Sequence, residues 1–451
     1  MTAVHTRLAL LPEGWATDVR ITFREGVIAE VLTGSSAVSG DQRAEVVVPA
    51  MPNLHSHAFQ RAMAGLAERR GPGEDTFWSW RETMYRFVLS MSPEQVEAVA
   101  AQLYVEMLEA GFGRVGEFHY LHHDREGQPY ANVGEMAERI AAAAAESGIG
   151  LTLLPVFYAH AGFGGLPAIA GQRRFINSVP AFASLLEASR AAIAGLPGAR
   201  FGVAPHSLRA VTPEELSEVI ALAGSGPIHI HAAEQVREVE DCLAWSGARP
   251  VEWLLANAPI DSRWCLIHAT HMTDAETGAL ARSGAIAGLC PVTEASLGDG
   301  TFSAQSFLAA GGRFGVGSDS NVLIGVPDEL RQLEYSQRLL LRQRNVLAKP
   351  GQSNGRALFE AALAGGAAAL DAGPGAIVPG ASADLVSLSV GDAASAARTG
   401  DDVLDAWIFT GHVRPDTVWV GGSKLVEGGR HVRRHPIAAR FRKAMEELAS
   451  T

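Results

Sequence analysis

Residues 46–60 read VVVPAMPNLHSHAFQ. The valine run favours an extended strand, and just beyond it stand His55 and His57, two residues apart. On extended backbone that spacing turns both imidazoles to one face, where they can share an ion. In a chain with 15 histidines an isolated H-x-H carries little weight. Its place is what counts: barrel enzymes build their sites at the C-terminal ends of their strands.

Working outward, seven more apolar runs follow: RVGEF (114–118), LTLLPVF (151–157), FGVAP (201–205), PIHIH (227–231), WCLIH (264–268), AIAGLC (285–290) and FGVGSD (314–319). With VVVPA (46–50) as the first, they alternate with helix-period segments, the pattern of repeated βα units around a parallel sheet. The expected class is α/β, a TIM-like (β/α)8 barrel. One helix start is well marked: Ser92 caps, Pro93 takes the first helical position and Gln95 completes a capping box. Alanine runs at 141–145 and 366–369 also favour helix. Both chain ends read as β instead. Residues 17–32 alternate around Glu25-Gly26 as a hairpin, and 383–390 and 416–429 carry short apolar runs broken by glycines.

The chain has 451 residues, long enough for such a barrel and a small accessory domain. With 47% apolar and 19% charged residues it has the profile of a soluble globular enzyme. An excess of 49 acidic over 37 basic groups argues against nucleic acid or an anionic membrane and for small-molecule partners. The N-terminus lacks a basic region followed by a long apolar run, and there is no apolar stretch of about 18 residues. A cytoplasmic protein is expected. Cys242, Cys265 and Cys290 lack C-x-x-C spacing and read as buried reduced thiols.

PIHIHAAEQ brings His229, His231 and Glu234 to the fifth strand end. His231 lies at the rim and His229 deeper, where packing is the expected role. Glu234 reads either as a site carboxylate or as one favoured by a helix N-terminus. His268 ends the sixth strand and Asp319 the eighth; in SDSN, Asp319 also reads as a turn aspartate. Four strand ends therefore converge. A buried aspartate without a partner is costly, whereas one beside a divalent cation and an imidazole is compensated.

An H-x-H after strand one, H-x-x-E after strand five, a histidine after strand six and an aspartate after strand eight resemble the amidohydrolase superfamily. GASADLVSL, near residue 384, looks like its returning β domain. The resemblance implies a small β-sandwich domain from both chain ends, 1–47 and 373–451, the latter with a terminal helix, around a metal-dependent barrel at 48–372. Within the superfamily, MPNLHSHAFQRAMAGLAE, FWSWRETMYR, GEFHYLHHD, APHSLRAV and HIHAAEQ are similar to the formimidoylglutamate deiminases. That resemblance implies one zinc ion per chain on His55, His57, His231 and Asp319. It further implies proton handling by Glu234, His268 and Asp319, and substrate contacts from Gln60, Arg81, Tyr120, His206 and Arg209. Binuclear members of the superfamily often use a carboxylated lysine after strand four. Here the only lysines are Lys349, Lys424 and Lys443, so one metal is expected.

The implied reaction is hydrolytic deimination of N-formimino-L-glutamate to N-formyl-L-glutamate and ammonia, in histidine degradation, by a homodimer. Two arginines suit a dicarboxylate. The competing readings are another mononuclear deaminase acting on a purine- or pyrimidine-type ring, and a non-catalytic metal-binding barrel. FWSW (77–80) and YAHAGFGG (158–165) are candidate closing loops, with aromatic packing between helices the equal alternative for FWSW.

Overall fold

The computed structural model describes residues 2–391, 393 and 396–450. The N-terminal strands are β1 (Thr2–Leu11), β2 (Gly14–Arg24), β3 (Val27–Leu32) and β4 (Gln42–Pro49). The central ones are β5 (Met51–Ser56), β6 (Phe112–His119), β7 (Gly150–Phe157), β8 (Arg200–Phe201), β9 (Ala204–Pro205), β10 (Ile228–Ala232), β11 (Trp264–His268), β12 (Ile286–Leu289) and β13 (Arg313–Val316). The last are β14 (Leu385–Ser389), β15 (Arg414–Val420), β16 (Ser423–Glu427) and β17 (Arg430–His431).

The hairpin read at 17–32 is β2–β3, with Arg24 paired to Val27 across a two-residue turn. Glu25 and Gly26 adopt φ of 52° and 84°, the left-handed pair that matches the twist of a tight hairpin. Strands from both chain ends pair into one continuous eight-stranded sheet in the order β17-β16-β15-β14-β4-β1-β2-β3. β4 joins the two ends, parallel to β1 and antiparallel to β14.

The central strands form two parallel sheets of a TIM-barrel-like α/β domain, β5-β6-β7-β8 with β9 beside β7, and β10-β11-β12-β13. They meet along both edges. Ser56 bridges Asp319 on one side, and Val203 bridges Ile228 and Ser207 bridges His231 on the other. Helices cover the outside as the capping signals require. Residues 93–109 form a helix whose Ser92–Gln95 capping box is present, and the alanine runs lie in the helices at 135–147 and 354–369. The C-terminal helix, 434–449, packs on helix 93–109.

Two strand readings need correction. Val46–Pro49 belong to β4 of the terminal sheet, and the first central strand is the next segment, β5, which contains His55. Apolarity did not separate the two because β4 is buried on both faces: Val46 and Val48 join the large core, Val47 the terminal sheet's own core. FGVAP is split into β8 and β9 around Gly202, where a Cβ would lie 2.4 Å from the Pro227 carbonyl oxygen. No helix among the described residues is long and apolar enough to cross a membrane.

Candidate active site

His55 in β5, His57 just after it, His231 in β10 and Asp319 three residues past β13 come together at one end of the strands, all buried. His55 Nε2 lies 3.1 Å from His231 Nε2 and 3.4 Å from Asp319 Oδ1. His57 Nε2 lies 3.2 Å from the same oxygen. Donors held about 2.0–2.2 Å from a four-coordinate ion sit roughly 3.3 Å apart, so the set has the spacing of a coordination shell.

The hydrogen bonds behind it support the same reading. His57 Nδ1 donates to the Phe118 carbonyl and His231 Nδ1 to the His206 carbonyl, each at 2.9 Å, leaving each Nε2 as the lone-pair nitrogen. Lone pairs facing one another at this distance repel unless a cation lies among them. Burial pushes His55 down to about 3, and burial with the neighbouring His55 and His206 pushes His231 well down, so both are neutral, the ligand form. Burial opposes the charge on Asp319, but hydrogen bonds and charge from His55 and His57 hold its carboxyl well below the usual range. Three imidazoles and a carboxylate are a donor set that fits zinc.

The backbone here is strained. Ala233, His268, Ala269, Asp319 and Asn321 have φ of 52°, 68°, 49°, 44° and 59°, a region that costs an L-residue about 1–2 kcal/mol. The surroundings fix it. Asp319 N donates to the His55 carbonyl at 2.9 Å, and His57 N donates back to the Asp319 carbonyl at 3.1 Å. Asn53 clasps Ser318 through both amide atoms, and Asn321 Nδ2 donates to Ser56 Oγ and the His57 carbonyl. Such concentrated strain is typical of sites where geometry is held for a task.

The cluster opens into a cavity that also holds Glu234, His268, Gln60, Arg81, Tyr120, His206 and Arg209. His268 Nε2 lies 3.8 Å from Asp319 Oδ2 and 3.7 Å from Glu234 Oε1. Burial works against charge on His268, yet Glu234, Glu294 and Asp319 together push it up to about 10. Burial raises the Glu234 carboxyl, against the opposing pull of His268 and Arg209. Arg209 Nη2 is 3.4 Å from Glu234 Oε2, and Gln60 Nε2 donates to the Tyr120 hydroxyl at 2.9 Å. Arg81 stacks on Trp78, its guanidinium carbon 4.5 Å from the ring centre. The Nε atoms of Arg81 and Arg209 are buried without hydrogen-bond partners among the described residues, an expense that an anionic ligand would remove, and Gln60 Oε1 is a buried acceptor likewise without a partner.

Comparison with known proteins agrees with this geometry. Residues 46–425 match the model of the amidohydrolase family, and residues 1–45 match that of the N-terminal domain of formimidoylglutamate deiminase HutF. The chain belongs to the amidohydrolase family. The formimidoylglutamate deiminase of Pseudomonas aeruginosa is 52% identical over 99% of this chain and 100% of its own length. A 5-methylthioadenosine/S-adenosylhomocysteine deaminase of Natronomonas pharaonis is 28% identical over 93% of this chain and 91% of its own. Among solved structures, an amidohydrolase from Brucella melitensis superposes with a TM-score of 0.97 at 62% identity, covering 100% of both chains. An adenosine deaminase from Xanthomonas campestris with bound zinc has a TM-score of 0.80 at 20% identity, covering 100% of this chain and 99% of its own, a likeness of fold.

In this amidohydrolase each residue singled out in the sequence for metal, proton or substrate contact lies in the ligand cluster or the cavity wall. His229 does not; it is buried below, its Nε2 bonded to the Ala369 carbonyl at 2.8 Å. FWSW is the first turn of a helix over 77–88 rather than a loop, capped by Thr76, and it lends Phe77 and Trp80 to the cavity. Sequence reasoning did not single out three residues of the wall: Tyr85, although it lies within FWSWRETMYR, Tyr158, which opens YAHAGFGG, and Phe175, which lies outside every quoted stretch. It also missed Glu294, whose Oε1 accepts from His268 Nδ1 at 3.2 Å. A signal existed for Glu294: it follows β12, one more strand end on the rim.

Proposed function

We propose that this chain hydrolyses N-formimino-L-glutamate to N-formyl-L-glutamate and ammonia, with one zinc ion held by His55, His57, His231 and Asp319. The observation that carries the substrate is a pair of arginines, the buried Arg209 and the half-buried Arg81, each with a buried and unpartnered Nε, on the cavity that the ligand cluster opens into. A substrate with two carboxylates needs such forked donors in an otherwise acidic protein. The full-length relative at 52% identity is named for the same activity.

Zinc bound there supplies Lewis acidity that makes water a competent nucleophile near neutral pH. The chain's own groups do the rest. Asp319 Oδ2 and His268 Nε2, 3.8 Å apart, flank the attacking water: the Asp319 carboxylate takes its proton, and the protonated His268 orients its oxygen. Water adds to the formimino carbon, while Glu234, whose proton is favoured by burial, gives one to the imino nitrogen. His268 donates a hydrogen bond to the oxygen as charge develops on it. A second proton delivered through Glu234 converts the nitrogen to a leaving amine. The C–N bond breaks, the carbon becomes a formyl carbonyl and ammonia departs. Gln60, Tyr120 and His206 hold the substrate in line through directional hydrogen bonds.

The same reading takes the two central sheets as one closed eight-stranded barrel, with β8 and β9 as halves of the fourth strand; the bridges along both edges support it. It takes residues 48–372 as the catalytic barrel. It also takes the terminal strands as a β-sandwich, supported by a separate core that draws on β1 through β4, β14 and β15. The known zinc-bound neighbour supports the metal. A second reading, deamination of a purine- or pyrimidine-type ring, is favoured by the aromatic wall of Trp80, Tyr85, Tyr158 and Phe175. Coupled ammonia release from N-formimino-L-glutamate, adenosine, guanine and cytosine decides between them. Turnover of a ring amine without turnover of the imino acid would overturn the first.

A further inference from the structure

Glu238 belongs to no motif singled out in the sequence, yet its carboxylate is fully buried beside the proposed active site. Its Oε1 accepts from Ala233 N at 3.2 Å, and its Oε2 accepts from Glu234 N at 3.0 Å. That same Oε2 lies 3.9 Å from Arg209 Nη2, the nitrogen that is 3.4 Å from Glu234 Oε2. One side chain therefore touches the strained turn at Ala233, the backbone of the proposed proton donor and the guanidinium of the proposed substrate clamp.

A buried guanidinium needs a standing countercharge. Glu234 cannot provide one throughout a cycle in which it gains and loses a proton. With Glu238 in place, Arg209 stays compensated whichever state Glu234 is in, and its Nε edge stays open toward a ligand. Without that charge, Arg209 would claim Glu234 alone and hold it as the ionised partner of an ion pair. Resting on the function proposed above, we infer that Glu238 is a positioning residue: it keeps Arg209 from sequestering Glu234, and so leaves Glu234 free to deliver protons while Arg209 holds substrate. The nearer, plainer role, support of the left-handed turn at Ala233, makes a different prediction.

Three proteins separate the two. Glu238→Gln keeps size and shape and removes the charge. Ala233→Gly lets the turn adopt its φ of 52° without help. Ala233→Gly with Glu238→Gln combines them. Steady-state ammonia release is measured for each against wild type, with thermal melting as the folding control. The expected result is a fall in kcat of about tenfold or more for Glu238→Gln, with KM changed less than about threefold, and no recovery in the double variant. Recovery of kcat in the double variant would reduce Glu238 to a turn support and overturn the inference, as would a wild-type kcat in Glu238→Gln. If Glu238→Gln is too unstable to purify, the double variant and the charge-keeping Glu238→Asp carry the measurement: kcat depressed at near-normal KM in the double variant but nearer wild type in Glu238→Asp supports the inference, whereas wild-type kcat in the double variant, or equal loss in both, overturns it. Wild-type turnover of N-formimino-L-glutamate is read first, so a failure of the parent function is seen separately from a failure of the Glu238 role.

Discussion

Gly317 offers the sharpest test of how the ligand cluster is held, because it lies between β13 and Asp319 and packs directly on His55. A Cβ added there would sit 2.8 Å from the Cβ, the N and the O of His55. Two of those three atoms are backbone, so no rotamer change relieves the clash. Ordinary carbon contacts begin near 3.5 Å, so His55 or the 317–319 segment must move by roughly 0.5–0.7 Å. His55 Nε2 is only 3.4 Å from Asp319 Oδ1, and the two residues exchange a backbone hydrogen bond at 2.9 Å, so the displacement passes straight into the ligand geometry. Overpacking of this kind costs about 1–3 kcal/mol in stability, and a misplacement approaching 1 Å at a reacting centre costs on the order of a hundredfold in rate. The assay is zinc content per purified chain together with kcat and a thermal melt, with Gly195→Ala as control, since nothing lies within 4 Å of a Cβ there. Gly317→Ala is expected to lose most of its metal or most of its rate while the control keeps both. A fully metallated Gly317→Ala protein with kcat within about threefold of wild type would refute the claim that this glycine sets the His55–Asp319 spacing.

Glu234→Gln is expected to lower kcat by about 10²–10⁴-fold with KM nearly unchanged, and steady-state ammonia release checks it. Arg81→Met should raise KM by about 10–100-fold for N-formimino-L-glutamate, and by much less for a substrate with one carboxylate. Saturating zinc at a thousand times its Kd should stabilise the fold by about 4 kcal/mol, seen as a melting shift that a chelator reverses. In metal-stripped protein, His268 is raised from its ordinary 6.5 to about 10. A raised imidazole contributes stability that is fully present below pH 6.5 and is lost as pH rises through about 10. Thermal melts across that window should fall more steeply for the wild type than for His268→Asn.

The polypeptide wrote its central strands and its candidate metal ligands locally, and this is why they were legible. β11 begins and ends at the residues read from the sequence, Trp264 and His268. The Ser92–Gln95 capping box forms as read, because a side chain and a backbone amide three residues apart suffice to make it. The H-x-H pair, His231, His268 and Asp319 were visible because each sits at a strand end, and strand ends of a parallel α/β domain face one rim. Three things needed the tertiary structure. The valine run at 46–49 pairs in the terminal sheet, since apolarity says that a strand is buried but not against what. Glu294 and Glu238 act through hydrogen bonds to His268 and to the 233–234 turn, contacts fixed by how strands and their following loops stack rather than by any local pattern. The left-handed φ at Asp319 is unfavourable for that residue alone and is held by a distant segment, Asn53 and Ser56 on β5, through bonds to the flanking Ser318 and Asn321. Local propensity selects the elements; the balance between local strain and long-range hydrogen bonding sets the site.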